Sequence, residues 1–204
     1  MMDAIVQTVD TTNKVNNLIN NIMKRLIIII LALFASIAIS AQTNSNVLKF
    51  MGIPVDGSKT EVIQKLKEKG FKYDSVNDYL TGQFNGWDNS HIMISTNKNK
   101  VDRIVVNTLF TLNTANIRVS YNNLLQQFNT NDKYIASEEN EFISEDEDIS
   151  YEITVHDKRY DATFYPKENI TQGVVWFIIY RSFGKYSIAI FYDNLNNRSN
   201  GEDL

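Results

Sequence analysis

Two places in the chain carry side chains that could do acid–base chemistry: Ser90-His91 and His156-Asp157. A histidine base needs an orienting partner and a nucleophile within hydrogen-bond reach, and neither pair brings a recognisable nucleophile setting with it. There is no Gly-x-Ser-x-Gly elbow, no Gly-rich phosphate loop and no cysteine. His91 is therefore read as a strand residue and His156 as a turn residue, and no catalytic residue is assigned. Glu138, Glu139, Glu141, Glu145, Asp146, Glu147 and Asp148 place seven carboxylates within 11 residues. Calcium takes six to eight oxygen ligands, but this run lacks the alternating spacing of a calcium loop and the Gly that bends one. It reads as a solvated loop, with no metal and no cofactor expected.

The aromatic residues say more. Of the chain's aromatics, 11 lie between Tyr151 and Tyr192. Two apolar runs, 174–181 and 186–193, flank a turn placed at Gly184-Lys185, which pairs Phe183 with Tyr186 and Ser182 with Ser187. Alternation then sorts the faces. Phe177, Ile179, Ile188, Ile190 and Tyr192 fall together as the buried layer. Trp176, Ile178, Tyr180 and Phe191 fall on the other face with the small Ser187 and Ala189. Large aromatics beside small residues suit a shallow contact surface, so Trp176, Tyr180 and Phe191 are the candidate ligand-binding residues.

The elements that would position them follow from local signals. Ser58 and Glu61 form a capping box, Val62, Ile63 and Leu66 form a stripe, and Gly70 closes a helix from about Lys59 to Lys69. Ile117, Tyr121, Leu124, Leu125 and Phe128 mark a second helix, capped by Asn113 or Thr114. Strands are expected at 47–53, 79–84, 91–96, 101–110, 151–155, 160–165, 174–181 and 186–193, with His156-Asp157 as a hairpin turn. The expected fold is α+β: two successive helix-plus-β-meander units, 46–110 and 111–204, forming a two-layer antiparallel sheet with helices on one face.

Met23-Lys24-Arg25 precedes the uncharged apolar run 26–41, which is followed at once by polar residues. At 16 residues, the run falls short of the ~20 a spanning helix needs, and it reads as a cleaved signal peptide. Residues 1–22 are read as a non-structural extension with the start codon at Met23. Residues 23–41 are the leader, with cleavage after Ser40 or Ala41, and 42–204 form a single domain in the periplasm or outside the cell. The whole chain has 20 Lys and Arg against 24 Asp and Glu, a net charge of −4, so no broad cationic surface is available for nucleic acid.

The stretch Leu48-Lys49-Phe50-Met51-Gly52-Ile53-Pro54-Val55-Asp56-Gly57-Ser58, running into Leu66-Lys67-Glu68-Lys69-Gly70-Phe71, resembles exported proteins of Bacteroidetes bacteria, as does Tyr121-Asn122-Asn123-Leu124-Leu125 ending in Tyr134. Those proteins end the second helix with Lys-Tyr-Gly-Lys-Pro, where this chain has Lys133-Tyr134-Ile135-Ala136. The resemblance implies a tandem layout similar to the β-lactamase inhibitor proteins, whose concave sheet binds a partner protein, and it implies no catalytic residue. The expectation is an exported, non-enzymatic binding module that uses a sheet face to hold an envelope protein, peptide or glycan. The alternatives are an envelope structural or assembly factor and, behind it, a small periplasmic hydrolase.

Overall fold

The computed structural model describes residues 47–108, 112–168, 170–182 and 184–198, within the compact unit Asn46–Leu204. The extension at 1–22 and the leader at 23–41 lie outside the described residues. Ten strands and three helices are described: β1 (Lys49–Phe50), β2 (Ile53–Pro54), α1 (Lys59–Glu68), β3 (Lys72–Asp74), β4 (Tyr79–Phe84), β5 (Trp87–Asn97), β6 (Lys100–Asn107), α2 (Thr114–Asn129), β7 (Tyr134–Ala136), α3 (Ile149–Val155), β8 (Asp161–Pro166), β9 (Gly173–Ser182) and β10 (Lys185–Asn194). The fold is α+β. Eight strands make one antiparallel sheet in the order β3-β4-β5-β6-β10-β9-β8-β7, and β1 and β2 pair separately.

Three two-residue turns set the first registers. Met51-Gly52, Asn85-Gly86 and Lys98-Asn99 all have positive φ at both positions, which matches the twist of the strands they join. The run 47–53, expected as one strand, is therefore a hairpin folded back at Met51-Gly52, with Phe50 opposite Ile53. Strand β5 starts at Trp87 because the loop before it is only Asn85-Gly86. Strand β3 was not expected; its three residues are too few to show a pattern.

Helix α1 has the predicted ends. The Ser58 Oγ accepts from the Glu61 N–H, and the Glu61 carboxylate accepts from the Ser58 N–H. At the other end Gly70, with φ +95°, donates to the Lys67 carbonyl, and Phe71 donates to Leu66. This is a complete left-handed closure with both apolar partners, Leu66 and Phe71, buried. No atom stands where a Cβ on Gly70 would go, so only backbone conformation penalises substitution. Gly70→Val should lower stability by about 1–2 kcal/mol in a denaturant titration.

Helix α2 buries the five predicted stripe residues, with Asn113 as its cap. Tyr121 meets the Phe177 ring edge-on at 5.2 Å, and Phe128 stacks on Phe164 at 4.7 Å. These contacts identify the helix-covered face of the sheet. Cross-strand partners carry that face from Leu80 through Ile92, Val106 and Ile190 to Phe177 and Ala162. All six side chains are buried in one core with Val62 and Leu66 of α1.

Residues 151–155 are not a strand and His156-Asp157 is not a hairpin turn. Ile149–Val155 form α3, because Asp148 caps the Tyr151 N–H and Ile149 and Ile153 lie one turn apart on the core side. His156 is its C-cap. The acidic run before it is tied down rather than merely solvated. Asn122 on α2 makes reciprocal 2.9 Å bonds with the backbone of Ile143, and Arg118 donates to the Glu145 carbonyl at 2.7 Å. Glu147 accepts from Tyr160 and Lys158, and these bonds hold its carboxyl below the usual range. Asn140 bonds both the N–H and the carbonyl of Thr163 at 2.8 Å, closing an edge of β8 beyond the reach of short β7.

The last hairpin turns one residue earlier than expected. Ser182 pairs with Lys185, so the loop is Phe183-Gly184, and Gly184 takes the second loop position with φ +75°. Phe183 itself lies outside the described residues. Every pair moves by two residues and parity is kept, so the two faces hold the sets that alternation predicts.

Candidate functional site

Among the described residues no helix packs on the second face of the sheet, which is built from residues that alternate with the core. One line of cross-strand neighbours runs through Met93, Val105, Phe191, Trp176 and Thr163, on β5, β6, β10, β9 and β8. Met93 is 40% exposed and the other four are half-buried. The next line is His91, Asn107, Ala189, Ile178 and Asp161. Ala189 and Ser187, on the same face as the rings, are small and nearly fully buried.

Trp176 and Phe191 stack face to face, with centroids 3.9 Å apart and planes 5° from parallel. Because they sit on adjacent strands, the stacking direction lies along the sheet and the rings stand with their edges toward solvent. The Arg103 guanidinium is 5.1 Å from the Phe191 centroid and 5.9 Å from that of Trp176. A group over either outer face would be nearer one ring by almost the whole ring spacing, so Arg103 lies along the edge of the pair.

Two residues along β10 from Phe191 and on the same face, Asp193 is fully buried and accepts four bonds. Arg103 donates Nε at 2.5 Å and a terminal nitrogen at 2.8 Å, Trp176 Nε1 donates at 3.0 Å, and Arg198 donates at 3.2 Å. The hydrogen bond from Arg103 to this carboxylate raises the guanidinium pKa further. Asp193 thus fixes the indole orientation and the cation at the ring edge in one network.

Of the three residues singled out from sequence, the structure brings Trp176 and Phe191 into contact. Tyr180 does not join them. It lies opposite Ser187, four residues along the strand from Trp176, or about 13 Å. The residues expected to look outward are half-buried, and Trp176 carries a structural hydrogen bond. Met93, Val105, Arg103 and Asp193 were missed. Their pairing depends on β6 meeting β10, which no local signal states.

The two histidines stand apart from any shared site. Ser90 and His91 are consecutive strand residues and point to opposite faces; Ser90 is buried and donates to the Trp87 carbonyl. The His91 ring stacks on Tyr79 at 4.1 Å, and partial burial lowers its pKa below the usual 6.5. The unfolded chain takes up this proton first, so stability holds above pH 6.5 and falls as pH drops through the lower folded value. Melting temperature measured from pH 8 to 5 should show that decline, and His91→Asn should flatten it. His156 is exposed and bonds Glu152 one helical turn back at 2.9 Å. Among the described residues no three His, Asp or Glu side chains converge to hold a metal ion, and no helix is long and apolar enough to cross a membrane.

Compared with protein-family models, curated proteins and solved structures, the chain matches none.

Proposed function

We propose that the protein is an exported, non-enzymatic binding module whose uncovered sheet face holds a segment of a partner protein or a peptide. The observation that carries this is the ridge through Met93, Val105, Phe191, Trp176 and Thr163, which reaches solvent on a face opposite the helix-packed core. Side chains standing edge-up in a row suit interdigitation with a polypeptide. A glycan platform presents a flat ring face instead, and here the two rings take one face from each other.

The topology supports a tandem origin for this surface. In chain order a helix precedes β3–β6, a second helix precedes β7–β10, and the two four-strand blocks meet at their last members, β6 and β10. On this reading the chain is two helix-plus-meander units, the second interrupted by α3. That layout accords with the exported Bacteroidetes proteins and the β-lactamase inhibitor fold that the sequence resembles. The apolar leader at 23–41 supports an envelope or extracellular location.

The test is affinity isolation from periplasmic extract with the parent protein and Met93→Lys. The substitution lies at an exposed site and should move stability by no more than about 0.5 kcal/mol. Reproducible capture by the parent and its loss in the variant are expected. Equal capture by both would place binding elsewhere. Turnover of a hydrolase substrate that His156→Ala abolishes would overturn the non-enzymatic reading.

A further inference from the structure

The chain has five methionines and no cysteine, and among the described residues Met51 and Met93 carry the sulfur. A thioether is soft and polarisable, and peroxides convert it to a sulfoxide. Met51 is 39% exposed and Met93 40%, so an oxidant reaches both sulfurs equally. Their settings differ. Met51 lies in the β1–β2 turn, and its neighbour Phe50 packs on Tyr192 at 4.9 Å, on the helix-covered side of the sheet. Met93 stands on the other face, opposite Val105, with Phe191 and Trp176 next in the same row.

We infer that Met93 is a reversible oxidation site that switches this sheet face off for its partner, with a peroxide as the oxidant. The inference rests on the reading of the face as the binding surface. The Sδ lone pair of Met93 attacks one peroxide oxygen. The S–O bond forms, the O–O bond breaks and sulfur gives up two electrons; the other oxygen takes the proton of the transferred hydroxyl and leaves as water.

The product carries a polar S=O where an apolar sulfur stood. In the free protein water solvates that dipole at the exposed position, so the fold tolerates it. Under a partner the same dipole loses its water beside Val105, and binding weakens. The effect therefore falls on the contact and not on the fold, which is what separates a switch from damage. An exported protein works outside the reducing cytosolic pool, so the sulfoxide persists until a methionine sulfoxide reductase removes it.

The experiment uses the full chain carrying Met51→Leu, which leaves Met93 as the oxidisable methionine among the described residues. The protein is treated with hydrogen peroxide and freed of it, and half is then incubated with methionine sulfoxide reductase and dithiothreitol. Peptide mass mapping locates the sulfoxide, and affinity isolation from periplasmic extract measures capture. The expected result is a sulfoxide at Met93, capture lowered about tenfold at an unchanged melting temperature, and recovery of both sulfur and capture after the reductase. The reductase acts on sulfoxide alone, so recovery excludes oxidation of Trp176 as the cause. The inference is overturned if Met93 resists peroxide, if protein oxidised at Met93 captures as well as untreated protein, or if the reductase removes the sulfoxide without restoring capture. Failure of the underlying reading looks different: untreated protein then captures nothing, and the switch falls with it.

Discussion

Phe177→Ala should cost about 3–5 kcal/mol and bring the melting temperature down by many degrees. Phe177 is fully buried where three aromatic contacts converge: Tyr121 edge-on at 5.2 Å, Phe128 at 5.9 Å and Phe164 at 6.0 Å. Its removal opens a cavity under α2 and takes from each of those rings one aromatic contact. Denaturant titration of parent and variant measures the loss. The comparison residue is Met93 on the other face, where truncation to Ala should register less than about 0.5 kcal/mol.

Asp193→Ala should be as severe, about 3–5 kcal/mol, by a different mechanism. The substitution removes the acceptor for both Arg103 bonds and for the Trp176 indole, leaving a partly buried guanidinium with no carboxylate. Asp193→Asn should cost less because an oxygen acceptor remains, and Trp176→Phe should cost about 1–2 kcal/mol, since it drops one donor while Arg103 keeps its two-point contact. If Asp193→Ala melts with the parent, the network does not hold the sheet centre together. The same variant should unstack the Trp176–Phe191 pair, which near-ultraviolet circular dichroism reports directly.

Local chemistry made much of this fold legible in advance. The capping box at Ser58 and Glu61, the closure at Gly70, and the stripe from Ile117 to Phe128 each state a helix boundary or face in a handful of residues. The division of β9 and β10 into two faces also follows from sequence, because parity survives a turn misplaced by one residue. Ile149-Ser150-Tyr151-Glu152-Ile153-Thr154-Val155 misleads for a clear reason. Its apolar residues alternate as in a strand, but Ile149 and Ile153 also satisfy a helical face, and the Asp148 cap with exposed Tyr151 and Val155 selects the helix.

The candidate surface was only half legible. Trp176 and Phe191 come from one hairpin, so their contact follows from adjacent strands. Met93 and Val105 join them only because β6 lies beside β10, a pairing between residues more than 80 positions apart that no local signal encodes. The charge network is hidden for the same reason: Arg103 and Asp193 are 90 residues apart in sequence and directly opposite in the sheet.

The central claim is that the sheet face opposite the helices is where a partner sits. Its most direct measurement is photo-crosslinking in living bacteria, with a benzophenone amino acid placed at Met93 on that face or at Val119, an exposed position of α2. The account predicts a discrete adduct, containing a polypeptide from the same envelope, with the probe at 93 and none with the probe at 119. Adducts at 119 with none at 93 would contradict it and move the binding surface to the helices.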